Sequence, residues 1–340
     1  MSKVAFSTAA DLSAALASLP ECSEDSLVLA KARQDQLTKP QGSLGRLEEL
    51  AIWMASWQGK EKPQLNKPVC LVFAGNHGVT ARGVSAYPAE VTHQMVLNFE
   101  AGGAAINQLT KLADAELKVI PLDLDNPTKD FTSEPAMSEE ECCAALQAGA
   151  DAIPQGTDLI MLGEMGIGNT TAAAAVSNAV FGGTATDWIG PGTGVGEEGL
   201  SIKRDVVNEA ISLHKDNLKT AFECLRTVGG RELAAIAGAV VEARLRGIPV
   251  LLDGFIATAA ASALVKDNPA ALDHALISHV SKEPGHKRLA DNLNQRPVLD
   301  LDMRLGEASG AAVALLIVRA ALATHNGMAT FGEAGVSTAS

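Results

Sequence analysis

Four apolar residues, Leu159-Ile160-Met161-Leu162, pass directly into Gly163-Glu164-Met165-Gly166-Ile167-Gly168-Asn169-Thr170-Thr171 and then into Ala172-Ala173-Ala174-Ala175-Val176. Buried strand, glycine-rich turn and helix follow one another without a gap, an order that belongs to sheets whose strands are connected by helices. Such a turn gathers free backbone N–H groups and the positive end of a helix at one point, the usual setting for a phosphate. It also carries a carboxylate, Glu164, where the reacting sugar of a nucleotide could lie. The plainer reading is an ordinary strand-to-helix turn with Asn169 or Thr170 capping the helix.

The alternation recurs along the chain. Strand patterns fall at 69–74, 116–122, 158–163, 249–253 and 275–280, and helical patterns separate them at about 89–111, 139–152, 171–180, 202–225, 231–246 and 257–265. Strands alternating with helices predict a doubly wound, mainly parallel, Rossmann-like α/β sheet, whose ligands bind at the carboxyl ends of the strands. Residues 9–59 read as helical, interrupted by the turn Thr38–Leu47, where Ser43 can cap the following helix. Residues 59–67 read as a polar linker, and Ser309–Thr324 as an apolar helix that closes back on the N-terminal ones.

With 27 Lys+Arg against 40 Asp+Glu the net charge is −13, and no basic tract is present. Sequence-independent nucleic-acid binding needs phosphate-neutralising cations, so no nucleic-acid partner is expected. One local site can still hold a small anion against a negative global field. The five cysteines are scattered and form no C-x-x-C pair, which points to neither a disulfide framework nor a thiolate zinc site. No apolar run reaches the roughly 20 residues that span a bilayer, and no signal segment is apparent, so a soluble cytoplasmic protein is expected.

Polar residues cluster just after the strands: Gly75-Asn76-His77-Gly78, Gly83–Pro88, the Glu164 turn, Asp253-Gly254, Ser278-His279, Glu283–His286 and Arg304–Gly310. Convergence at one sheet edge argues for an active site more than any single motif does. His77 is either a turn residue or a catalytic group. His279 and His286 lack a third ligand at metal spacing, so no metal site is expected. Asp253 reads as a residue that orients a loop or binds a hydroxyl. Lys203, following the glycine-rich stretch Gly190–Gly196, is either a phosphate counter-ion or a solvated surface lysine. No P-loop is present, the third glycine of the dinucleotide fingerprint is missing, and no paired-acid loop for phosphoribosyl pyrophosphate is found. Two carboxylates, Glu164 and Glu307, remain as candidates for the chemistry.

Five blocks in order carry a resemblance: Thr38–Leu47, Ala74-Gly-Asn-His-Gly-Val79, Gly163–Thr171, Ser281-Lys-Glu-Pro-Gly-His286 and Arg304-Leu-Gly-Glu-Ala-Ser-Gly310. From about residue 30 to Gly335 the chain closely resembles the nicotinate-nucleotide–dimethylbenzimidazole phosphoribosyltransferases of cobalamin lower-ligand synthesis. The resemblance implies displacement of nicotinate from nicotinate mononucleotide by 5,6-dimethylbenzimidazole, with inversion at C1′ and no metal or other cofactor. It assigns Glu307 as general base and places Glu164 beside it, to position the base, stabilise oxocarbenium-like charge or partly substitute for Glu307. Gly166, Gly168, Asn169, Thr170, Gly192, Thr193, Gly194 and Lys203 would hold the nucleotide phosphate, and Ser85, Tyr87, Gln94 and Met165 would line the base pocket. It further implies a homodimer, with residues 1–60 and about 309–340 forming a small helical domain beside an α/β catalytic domain of 61–308. Two other readings stay open: the same fold with another acceptor (adenine, a phenol or another benzimidazole), and a non-catalytic nucleotide sensor.

Overall fold

The computed structural model describes residues 3–337, so residues 1–2 and 338–340 of the two terminal segments lie outside the described residues. Three helices lead: α1 (Ala9–Ala17), α2 (Glu24–Gln36) and α3 (Arg46–Gln58). Strand β1 (Pro68–Ala74) is followed by α4 (Glu90–Glu100) and α5 (Ala105–Leu112), and β2 (Glu116–Pro121) by α6 (Glu139–Ala152). After β3 (Leu159–Met165) come α7 (Asn169–Phe181), α8 (Glu197–His214), α9 (Ala221–Val228) and α10 (Arg231–Leu245). Then β4 (Val250–Leu252) precedes α11 (Phe255–Ser262), β5 (Ala275–Ile277) precedes α12 (Pro284–Asn292), and α13 (Ser309–Gly327) follows.

The five strands among the described residues are all parallel, in the order β2-β1-β3-β4-β5. This is one of the common doubly wound orders, and its winding reverses between β1 and β3, where ligands of such sheets gather. Along β1, Val69, Leu71 and Phe73 enter one core with residues of α6, α7, α10 and α11. Cys70 and Val72 enter the other with Met54 of α3, Ile106 of α5 and Leu315 of α13. Burial on both faces is why these strands read as unbroken apolar runs. Helix α13, 19 residues with mean hydropathy 1.2, is long and apolar enough to cross a membrane by length and composition. Here it covers the sheet, with Leu315, Val318 and Leu322 buried in the second core, and it packs against α3. Leu12 and Leu16 of α1 are buried in the first core.

Several local expectations change. The helical pattern of 89–111 is two helices, separated around Gly102-Gly103, and Asn107 accepts the Ala104 N–H to start the second. Likewise 202–225 splits, because Thr220 caps a new helix by accepting from the Glu223 N–H. Ser43 does not cap α3: the Glu48 carboxylate turns back to accept the Leu44 N–H, and Lys39 pairs with it at 2.9 Å. The last strand stops at Ile277, and the Val280 N–H goes instead to the Leu299 carbonyl. Helix α12, unread in the sequence, begins at Pro284 and buries one short face of Gly285, His286, Leu289 and Ala290.

Helices α6 and α10 meet backbone to backbone. A Cβ on Gly238 would stand 2.0 Å from the Leu146 carbonyl oxygen, and one on Gly149 would stand 1.8 Å from that of Ala235. Neither neighbour can yield, because both oxygens belong to helix backbone. Gly238→Ala is therefore expected to cost about 1–3 kcal/mol in urea unfolding. An unchanged midpoint would mean that the two helices do not touch in this way.

Candidate active site

The carboxyl ends of β1, β3, β4 and β5 form one edge, tied by N–H bonds from Gly75 to Met165 O (3.0 Å), Asp253 to Leu162 O (3.0 Å) and Ser278 to Leu252 O (2.8 Å). Onto it folds the turn that precedes α13. Gly306, Glu307 and Ala308 all have left-handed φ, at 88°, 64° and 65°. For Glu307 and Ala308 that conformation costs roughly 1–2 kcal/mol each, so the surroundings must impose it. Glu307 N–H donates to the Glu164 carbonyl at 3.2 Å, and Asp253 Oδ1 accepts the Ala311 N–H at 3.0 Å. Gly163 permits the contact: a Cβ there would lie 2.2 Å from Ala308 N.

This packing buries two carboxyl side chains at the sheet edge, Glu164 at 6% and Glu307 at 5% exposure. Burial, and then the nearby Glu232, Asp253 and Glu307 charges, push Glu164 up to about 8, while the Asn169 side-chain amide that donates to Oε2 pulls the other way. Glu307 is raised by burial and by Asp253, against the Ile106 amide at the start of α5. Burial thus outweighs the helix end. Glu307 Oε2 has no hydrogen-bond partner among the described residues. Asp253 is pushed up to about 7 by burial despite the backbone amides of residues 308, 310 and 311.

The same turn continues into an anion cradle. Gly168, at φ 93°, is the N-cap residue of α7, with no side-chain cap, so neither Asn169 nor Thr170 plays that part. The Asn169 and Thr171 N–H groups bond to Gly166 and Gly168 carbonyls, and that of Ile167 to the buried Thr92 hydroxyl. Those of Gly168 and Thr170 carry no such bond among the described residues. Lys203 is buried, 1% exposed, and donates to Thr170 Oγ1 (2.8 Å) and Gly190 O (3.0 Å). Burial lowers it to about 8, with Glu283 holding it up. An ammonium has three donors, and two go to neutral oxygens here. Gly192 closes the cradle: a Cβ on it would lie 2.7 Å from both Lys203 Nζ and Thr170 Oγ1. Its N–H donates to Glu283 Oε1 (2.9 Å) and its carbonyl accepts from Arg304 (3.1 Å). Gly194 stands at φ 106° in the same loop.

Of the expected base-pocket residues, Ser85 is joined to Thr193, hydroxyl to hydroxyl at 3.0 Å, and Thr193 also accepts the Ala86 N–H. Loop 83–88 is thereby stitched to the cradle. Tyr87 is 55% exposed, Gln94 lies on the exposed face of α4, and Met165 is half-buried at the end of β3. His77 is wholly buried with Nε2 at 2.5 Å from Glu232 Oε1. Glu232, in the first turn of α10, went unnoticed in the sequence, as did Thr92. His286 is engaged by the Ser281 N–H and the Thr258 hydroxyl, and His279 stands 3.6 Å from Asp253. An open pocket of about 750 Å³ lined by Trp53, Trp57 and Arg244 shares none of these groups.

A buried lysine beside free backbone N–H groups and a pair of buried carboxyl groups thus gather at the switch point of a doubly wound sheet, the place where α/β enzymes of this architecture bind their substrates. The family model described as Phosphoribosyltransferase matches residues 19–336. A nicotinate-nucleotide–dimethylbenzimidazole phosphoribosyltransferase of Sinorhizobium medicae (strain WSM419) is 55% identical over 327 residues, 96% of each chain. That of Ruegeria sp. (strain TM1040) is 55% identical over 332 residues, 98% of each. The crystal structure of the enzyme of this name from Thermus thermophilus superposes with a TM-score of 0.86 at 43% identity, over 93% of this chain and 100% of that one. The chain belongs to the nicotinate-nucleotide–dimethylbenzimidazole phosphoribosyltransferase family.

The raised Glu164 has a consequence for stability. Between its ordinary value of 4.5 and about 8, the folded protein keeps a proton that the unfolded chain releases. Stability from this group is therefore complete below the lower value and is lost as pH rises through the upper one. Glu164→Gln removes that loss, so its urea midpoint is expected to fall less than the wild type's across this range. Equal slopes would mean that Glu164 is not the group holding the proton.

Proposed function

We propose that the chain transfers the phosphoribosyl group of nicotinate mononucleotide to 5,6-dimethylbenzimidazole, giving nicotinate and α-ribazole 5′-phosphate with inversion at C1′. The observation that carries this reading is the buried Glu307 carboxylate, whose Oε2 has no partner among the described residues, on the same sheet edge as the Lys203 cradle. In this reading the phosphate lies against the Gly168 and Thr170 N–H groups, Lys203 and the 192–194 loop. Helix end and ammonium act together, because the ligand's charge satisfies both. Ser85, Tyr87, Gln94 and Met165 border the acceptor base, and the Ser85–Thr193 bond links that side to the phosphate side.

The reaction needs few groups. One benzimidazole nitrogen attacks C1′ opposite the nicotinate, and the C1′–N bond breaks with its electron pair passing to the pyridinium, which leaves as a neutral ring. The second benzimidazole N–H becomes acidic as the new bond forms, and Glu307 takes that proton. Desolvation makes Glu307 a stronger base than a carboxylate in water. Glu164, as the acid form that its surroundings favour, suits hydrogen-bond donation better than stabilisation of positive charge. The homodimer and the cytoplasmic setting implied by the resemblance belong to the same reading, and light scattering in solution checks the dimer.

Two substitutions separate the roles. Glu307→Gln is expected to leave nucleotide binding intact and to lower kcat by at least about 10²-fold, as loss of a general base requires. Lys203→Met is expected to raise the KM for nicotinate mononucleotide by roughly 10- to 100-fold, the effect of a lost charged hydrogen bond. Nicotinate release followed by chromatography, with and without dimethylbenzimidazole, reads both. Near-wild-type turnover of Glu307→Gln would contradict the assignment of the base.

A further inference from the structure

Helix α13 begins without a cap of its own. A helix start leaves about four backbone N–H groups unpaired, and the residue before the first turn ordinarily covers one of them with a side-chain oxygen. Here that residue is Ala308, which has no such oxygen and stands in the left-handed region. The Ser309 N–H goes to the Gly306 carbonyl at 3.0 Å, and the Ala312 N–H returns to that of Ala308 at 2.9 Å. The Ala311 N–H leaves the helix altogether: it donates to Asp253 Oδ1 at 3.0 Å, 58 residues earlier in the chain.

Asp253 is held in place by the sheet. Its N–H donates to the Leu162 carbonyl at 3.0 Å, so the residue continues the pairing of β4 with β3 beyond Leu252. His279 stands beside it, and both residues are only 1% exposed. The ring Nε2 lies 3.6 Å from Asp253 Oδ1, too far for a hydrogen bond. Neither ring nitrogen has a partner among the described residues, so shape, not bonding, seats the imidazole there. Two glycines admit it. A Cβ on Gly310 would lie 2.0 Å from its Cδ2, and one on Gly254 would lie 3.0 Å from its Nε2. Carboxyl and imidazole therefore close together on the first turn of α13.

Glu307 lies immediately before that turn. Its φ of 64° and the 65° of Ala308 put two consecutive non-glycine residues in a conformation that L-residues avoid. Such a turn persists only where its surroundings over-determine it. On one side the Glu307 N–H is fixed to the Glu164 carbonyl and Ala308 lies against Gly163; on the other, Ala311 is fixed to Asp253. We propose that Asp253 is a positioning residue for the reaction: it caps α13 from the end of β4 and so holds the Glu307 carboxyl at the acceptor base. Asp253 touches no reacting atom and acts through Glu307. The inference rests on the phosphoribosyl-transfer reading for the use made of Glu307, while the cap itself does not.

Two variants, assayed by nicotinate release, test it. Asp253→Ala leaves the Ala311 N–H unpaired, and kcat is expected to fall on the order of 10- to 100-fold, the effect of a slightly misplaced reacting group. The KM for nicotinate mononucleotide is expected to stay unchanged, because the Lys203 cradle belongs to α7, α8 and the 190–196 loop. A crystal structure of this variant is expected to show Glu307 outside the left-handed region. Asp253→Asn keeps an oxygen for the Ala311 N–H and is expected to restore most of kcat. A lower urea midpoint with wild-type kcat in Asp253→Ala would make the cap a structural bond alone and overturn the proposal. So would an Asp253→Asn protein as slow as Asp253→Ala, since the charge and not the cap would then be needed. One measurement needs no variant to fold: in the wild type the Ala311 amide is expected to exchange with solvent as slowly as amides in the middle of α13. Fast exchange there would overturn the cap. Exchange is independent of turnover, so an inactive wild type with a protected Ala311 amide would remove the phosphoribosyl-transfer reading and leave the cap standing.

Discussion

At Gly163, near the end of β3, no side chain holds the strand away from the turn before α13, and the two backbones touch there. Gly163 lets Ala308 approach, and the Glu307 N–H reaches the Glu164 carbonyl at 3.2 Å. The contact holds Glu307 and Ala308 at left-handed φ, a strain that survives because Asp253 grips the start of α13. Strain of this kind collects where function needs a side chain in one place. Remove the close approach and Glu307 loses its position beside Glu164, even though the sheet and both cores would be largely unaltered.

Glu164, Glu232, Asp253 and Glu307 are all buried near this contact, and their surroundings differ. Glu307 Oε2 has no hydrogen-bond partner among the described residues and its carboxyl is raised by burial, whereas Glu164 is pushed up to about 8 by burial and then by Glu232, Asp253 and Glu307. Environments that push neighbouring carboxyl groups apart in this way are how two-carboxyl enzymes separate an acid from a base. The positive counterpart lies on the other side of the same turn, where Lys203 and the start of α7 stand ready for an anion. The segment 163–171 joins the two sides of the site: it carries Glu164 and, at Gly168 and Thr170, the free N–H groups beside Lys203.

The strand, turn and helix around Glu164 were legible because each has a local signature: an apolar run, closely spaced glycines, an alanine-rich helix. The parallel sheet followed from alternation alone. Lys203 could not be placed from sequence, since a helical lysine reads as solvated until a loop such as 190–196 folds over it. Glu232 was invisible for a related reason: it opens a helix, where an acidic residue ordinarily needs no explanation, and its buried partner His77 is distant in sequence. Helix boundaries failed where capping decided them. Thr220 and Asn107 restart helices inside patterns that read as continuous, and Glu48 took the part expected of Ser43. Tyr87 and Gln94 were expected at the base pocket, and their exposure on the free protein is a tertiary fact that spacing does not encode.

A crystal structure of the protein with α-ribazole 5′-phosphate bound tests the central claim most directly. The account predicts that Glu307 Oε2 lies within hydrogen-bond reach, about 2.6–3.2 Å, of the benzimidazole nitrogen not bonded to the sugar. It also predicts the phosphate against Lys203 and the Gly168 and Thr170 amides. A ligand whose free ring nitrogen faces solvent or another side chain, or whose phosphate lies away from the start of α7, would contradict it.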